Sequence, residues 1–154
     1  MTNSKTTPSP FWRFSFLLYC AILLRLLFGR SNGWIAGLSY QEQLKQNTNL
    51  TPLYTIRNYL YVLQNPTNSY LTTHCFINLA GNILLFIPAG WLLPKLWKWQ
   101  RNFLHFFVSC LGAVFCVEVL QLFTLLGSFD VDDIILNLLG MTVGFLGYTV
   151  FAKK

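Results

Sequence analysis

The chain has 154 residues, of which 54% are hydrophobic, 17% aromatic and only 10% charged, and its mean hydropathy is +0.47. A water-soluble domain averages about a quarter charged residues, so a soluble enzyme or binding domain is excluded, and the length leaves room for one domain. The net charge of +6 is not a nucleic-acid footprint, which needs a basic face on a soluble surface.

Four apolar runs, Phe11 to Phe28, Phe76 to Leu93, Phe103 to Leu126 and Ile134 to Phe151, each come near the roughly 20 residues that cross a bilayer core as helix. The expected fold is all-α, an integral membrane four-helix bundle. The first run follows a basic start, as a secretory signal would. No small-residue cleavage pattern follows it, however, and Arg25 interrupts its far end. It reads as a retained helix whose Arg25 snorkels toward the headgroups.

The connection from Gly29 to Cys75 is too long for a turn and contains one organised piece. Thr51 before Pro52 offers a capping hydroxyl ahead of a first-turn proline. Leu53, Ile56, Leu60 and Leu63 then repeat at helical spacing with Tyr54, Arg57, Asn58 and Tyr61 opposite, and Asn65-Pro66 stops the helix. An amphipathic helix in the membrane interface and a helix capping the bundle both fit, and either lies over the outer mouth.

On the second run Asn78 lies near one end and Asn82 one turn deeper on the same face. Pro88 should kink this helix by removing a backbone bond near Leu84. The loop Pro94 to Asn102 holds Lys95, Lys98 and Arg101 and no acid, which assigns it to the cytoplasm. Both termini, with Lys5, Arg13, Lys153 and Lys154, then fall on that side. The turn Gly127 to Asp133, with three aspartates and no base, and the long connection face outward.

On the third run Glu118 lies eight residues before Leu126, about 12 Å below the outer end at 1.5 Å per residue, and Gln121 shares its face. On the fourth, Asp133, Asn137, Gly140 and Gly144 form one stripe. Apart from Glu42, all acids of the chain are Glu118, Asp130, Asp132 and Asp133. Asn78, Asn82, Glu118, Gln121, Asp130, Asp133 and Asn137 are therefore the candidate lining of one outward-facing polar pocket. Each has a plainer role open to it. The asparagines could be interhelical glue, Asp130 or Asp132 could cap the fourth helix, and Glu118 could pair with Arg25. A carboxylate at that depth nonetheless marks function by default.

Gly140 and Gly144 read as a close-packing pair. Cys20, Cys75, Cys110 and Cys116 show no disulfide or zinc spacing, and His74 beside Cys75 reads as structural. No serine elbow, phosphate loop or HExxH helix is present.

The order Asn78-Leu-Ala-Gly-Asn-Ile-Leu-Leu-Phe-Ile-Pro-Ala-Gly90, then Glu118-Val-Leu-Gln121, then Phe129-Asp-Val-Asp-Asp-Ile-Ile-Leu-Asn137 with Gly140 resembles the VanZ-like family of small bacterial integral membrane proteins. Asn49-Leu-Thr-Pro-Leu-Tyr-Thr-Ile56 is similar to that family's Asn-Leu-Ile-Pro-Phe segment, with Thr51 and Leu53 as departures. The likeness covers residues 49–151 of one domain spanning 1–154. Many relatives carry Arg just before the Phe-Asp motif, where this chain has Gly127-Ser128. A basic partner for the acids must then come from elsewhere, such as Arg57 or Arg30. The resemblance implies a bacterial cytoplasmic membrane and, from the founding member, low-level resistance to the lipoglycopeptide teicoplanin without change to the peptidoglycan precursor.

Two functions of different classes follow. In the favoured one, a non-enzymatic module binds an amphiphile, a lipopeptide drug or a lipid headgroup, in the outer pocket, with the lipid bilayer as its other partner and no cofactor. In the alternative, a small membrane enzyme acts on a lipid-linked envelope substrate. Glu118 would be its acid or base, and Asp130, Asp132 and Asp133 would hold Mg²⁺ on a phosphate, since hard cations choose oxygen. The sequence offers no evident nucleophile for it, nor a histidine deep in the pocket, and assigns no oligomeric state.

Overall fold

The computed structural model describes residues 9–29 and 35–151, so Lys5, Arg30, Lys153 and Lys154 lie outside the described residues. The chain folds as the expected all-α bundle. Its long helices are α1 (Pro10–Phe28), α4 (Ser69–Leu96), α5 (Phe103–Thr124) and α6 (Val131–Phe151), all four long and apolar enough to cross a membrane. The short helices α2 (Tyr40–Gln46) and α3 (Tyr54–Gln64) and two short strands, β1 (Thr48–Asn49) and β2 (Phe129–Asp130), gather at one end of the bundle. This is the acidic end. The opposite, basic end carries a 3-10 turn, Lys98–Arg101.

Caps rather than apolarity set the helix limits. α4 begins at Ser69, not Phe76, because the Asn68 side chain accepts bonds from the Tyr70 and Leu71 amides and so starts the helix in polar sequence. Its 28 residues measure about 42 Å at 1.5 Å per residue, against a hydrocarbon core of about 30 Å. The helix continues through Pro88 and Pro94. α6 starts at Val131, earlier than Ile134, because the Asp130 carboxylate accepts the Asp132 amide at 2.8 Å.

The α4–α6 seam is the tightest in the bundle. Cβ atoms on Gly140 and Gly144 would run into the Ile83 and Ile87 carbonyls, and one on Gly90 into that of Met141. Lipid tails are as apolar as leucine, so helices associate in a bilayer through close packing, and small residues permit that approach. The buried core, built on Phe86, Ala89, Phe106, Cys110, Val114, Met141 and Phe145, lies along this seam and against α5.

α1 is peripheral, with no buried residue. Polar anchors hold it at several depths. The Tyr19 hydroxyl donates to the Leu85 carbonyl at 2.9 Å, and Gln121 Nε2 donates at 2.9 Å to the Leu27 carbonyl, one of the orphan acceptors of the α1 C-terminus. At the basic end, Lys95 Nζ sits 3.7 Å from the centre of the Trp12 ring.

The connection between α1 and α4 holds more order than its periodicity shows. Ser39 and Glu42 form a capping box that starts α2; these bonds hold the Glu42 carboxyl below the usual glutamate range. β1 pairs in parallel with β2, Thr48 opposite Phe129 and Asn49 opposite Asp130. The expected Thr51-Pro52 cap does not form. α3 begins three residues after Thr51, behind Leu53, which adopts a left-handed conformation at φ 64°. The packed face of α3 is also rotated from the expected stripe: Ile56, Tyr59, Val62 and Leu63 are partly buried, whereas Leu60 faces away.

Candidate functional site

The acidic residues divide into a structural knot and a cavity wall. In the knot, Asp132 is fully buried, and its carboxylate accepts the backbone amides of Leu53 and Ile56, the latter at 3.0 Å. It therefore caps α3, not its own helix, placing a carboxylate at the positive end of another helix. Asp130 takes Asn49 Nδ2 at 3.2 Å and the Thr55 hydroxyl at 2.6 Å, besides capping α6. Glu118, 2% exposed, accepts the Asp130 amide at 3.3 Å. The Asn49–Ile56 segment, Glu118 and the Phe129–Asp133 motif, far apart in sequence, thus meet in one network.

Among the described residues no cation pairs with these acids. Arg57 is exposed, and the Arg25 side chain folds over Gly29 at its own helix end, so the alternative Glu118–Arg25 pair does not form. Backbone amides, asparagines and a threonine hydroxyl supply the donors instead.

Beside the knot, a cavity of about 340 Å³ opens between α1, α4, α6 and the α5–α6 turn. Asn82 Nδ2 donates to Asp133 Oδ1 and lies 3.4 Å from Asn78 Oδ1, so that these three polar groups form one side. Gln121, Asn47 and Ser128 add polar groups, and Tyr59 closes the top, its ring edge-on to His74 with centroids 6.2 Å apart. Burial, with Asp133 nearby, raises the Tyr59 hydroxyl above the ordinary tyrosine range, so it remains a neutral donor near neutrality. Leu26, Leu27, Ile77, Leu85 and Leu126 complete the wall. A donor- and acceptor-rich pocket with apolar walls suits the headgroup end of an amphiphile.

Of the expected lining, Asn78, Asn82, Gln121 and Asp133 border this cavity, whereas Glu118, Asp130 and Asn137 do not. Asn137 is 1% exposed and its Oδ1 has no partner. The three aspartates aim at different targets, and no group of three or more His, Cys, Asp or Glu among the described residues is placed to hold a metal ion. Tyr59, His74, Asn47 and Ser128 line the cavity and were missed by sequence reasoning. For His74 a signal existed: positions 74, 78 and 82 follow one another at intervals of four on one helix face.

Four apolar helices around a polar cavity define a small integral membrane protein. Residues 16–152 match the family model described as VanZ/LLP1, and the chain belongs to the VanZ-like family. It is 32% identical over 82 residues to Protein VanZ of Enterococcus faecium, an alignment that covers 53% of this chain and 48% of that protein, about half the length of each. No solved structure matches.

Proposed function

We propose that the protein is a non-enzymatic module of the bacterial cytoplasmic membrane that takes the headgroup of an amphiphile into the cavity at its acidic end, and so limits the action of lipoglycopeptides such as teicoplanin or of related envelope-active agents. The observation that carries this reading is the cavity itself, which sets Asp133, Asn82 and Asn78 against leucine and isoleucine walls. The charge pattern supports an outward orientation: Lys95, Lys98 and Arg101 lie at one end and Asp130, Asp132 and Asp133 at the other. In intact cells a membrane-impermeant maleimide should then label Ser128→Cys and spare Lys98→Cys; the reverse pattern would invert the orientation and end the proposal of an outer binding site.

The test of function is the susceptibility of cells making wild type, Asn78→Leu or Asp133→Asn at matched membrane levels, against teicoplanin, vancomycin and a membrane-active lipopeptide. Each substitution removes one polar contact, expected to weaken binding by about tenfold, or roughly 1.4 kcal/mol. Protection by the wild type confined to the lipidated drugs and lost in both variants is the expected result. No protection by the wild type would overturn the reading. One observation favours a second reading: His74, Tyr59 and Asp133 border a single cavity, the composition of an acid–base site on a lipid-linked envelope substrate. Turnover of such a substrate, abolished by Asp133→Asn, would replace binding with catalysis.

A further inference from the structure

At the basic end, remote from the acidic cavity, α1 and the end of α4 leave a second groove of about 470 Å³ lined by Arg13, Phe16, Leu17, Leu96 and Trp97. Its walls are apolar except for Arg13. Phe16 and Leu17 stand three and four residues after Arg13, hence below it on one helix face. A cation therefore tops an apolar slot near the membrane boundary, where α1 begins at Pro10. The Arg13 side chain has no acceptor among the described residues; Lys98 shares this, whereas the other two basic neighbours are engaged. Lys95 lies over Trp12, and Arg101 Nε donates to the Pro94 carbonyl at 3.1 Å. The described acids other than the exposed Glu42 are all in the knot and cavity of the opposite end, so nothing anionic from the described chain serves this groove.

We propose that this groove is a binding site for an anionic phospholipid of the surrounding leaflet. Arg13 receives the phosphate, and one acyl chain lies on Phe16, Leu17, Leu96 and Trp97. An arginine fork matches phosphate oxygens in a bidentate manner, and basic pockets beside membrane helices recognise anionic headgroups. The Phe16–Trp97 ring contact, with centroids 5.2 Å apart, gives the slot a firm floor. The bound lipid fills the gap between α1 and α4, so it joins the peripheral helix to the bundle at the end away from the Gln121 anchor.

The experiment is native mass spectrometry of the full chain released from bilayers of phosphatidylcholine containing a minor fraction of phosphatidylglycerol. The wild type should retain phosphatidylglycerol in preference to phosphatidylcholine. Arg13→Gln should lower that retention about fivefold, the effect of one basic residue, and Arg13→Lys should restore part of it. Leu17→Trp, which fills the slot and leaves the charge unchanged, should lower it as well. Equal retention of the two lipids by the wild type would overturn the site. So would an equal loss with Lys98→Gln, a basic residue outside the groove, because attraction would then be diffuse.

Discussion

Asp132→Ala should release α3 from the bundle while leaving the four long helices in place. The Asp132 carboxylate is the acceptor for the Leu53 and Ile56 amides, and it is fully buried. Two charge-assisted bonds would be lost and two amides left without acceptors, a cost of about 3 kcal/mol. Leu53 adds to the effect, since its left-handed backbone costs roughly 1 to 3 kcal/mol and persists only while its surroundings hold it. Amide exchange through residues 53–64 should accelerate by at least a hundredfold, with little change along α4 and α6 away from the knot. Asp132→Asn should fall between, because an amide offers one oxygen and turns its own donors toward the other N–H. Unchanged exchange at Leu53 and Ile56 in the alanine variant would show that α3 is held by its packing alone. Tyr59 rides on α3, so the same variant should also open the top of the cavity.

The α4–α6 seam predicts a contrast between glycines. Gly144→Ala places a methyl group against the Ile87 carbonyl and the Gly90 Cα, and Gly140→Ala places one against the Ile83 carbonyl. Backbone atoms cannot rotate aside as a side chain can, so the helices must separate, at about 1–3 kcal/mol for each substitution. The pair should be non-additive, since one separation relieves both contacts. Gly112 has open space around its Cβ position, and Gly112→Ala should be neutral or stabilising by up to about 1 kcal/mol through helix propensity. Thermal unfolding in a mild detergent distinguishes these variants. Equal stability of Gly112→Ala and Gly144→Ala would remove the close crossing as the source of bundle stability.

The anchoring of the acidic end shows how far local signals reach. Ser39 and Glu42 start α2 through a local capping box that the sequence reading passed over. Thr51-Pro52 looks equally sound as a cap, yet the start of α3 is taken by a carboxylate 79 residues away in the chain, Asp132 on Leu53. A long-range acceptor outcompeted the local hydroxyl. The face of α3 followed the same logic: a period of 3.6 defines a stripe, but which sector turns inward depends on the neighbour, and here Tyr59 and Val62 turn inward while Leu60 faces away.

By itself the sequence determined that the chain is membrane-embedded, roughly where its four helices run, that Gly140 and Gly144 mark a close crossing, and which polar residues gather at one end. Those properties rest on composition, apolar length and helical period, which are local quantities. Only the tertiary structure decided how the polar residues divide. Asp130, Asp132 and Glu118 secure loops and helix starts, Asp133 joins Asn82 and Asn78 at a cavity, and Tyr59 and His74 join that cavity as well. Shared depth and a shared face bring side chains within reach of one another, but the partner each one meets depends on donors brought by distant segments, above all the backbone amides of α3 and the β1–β2 pairing.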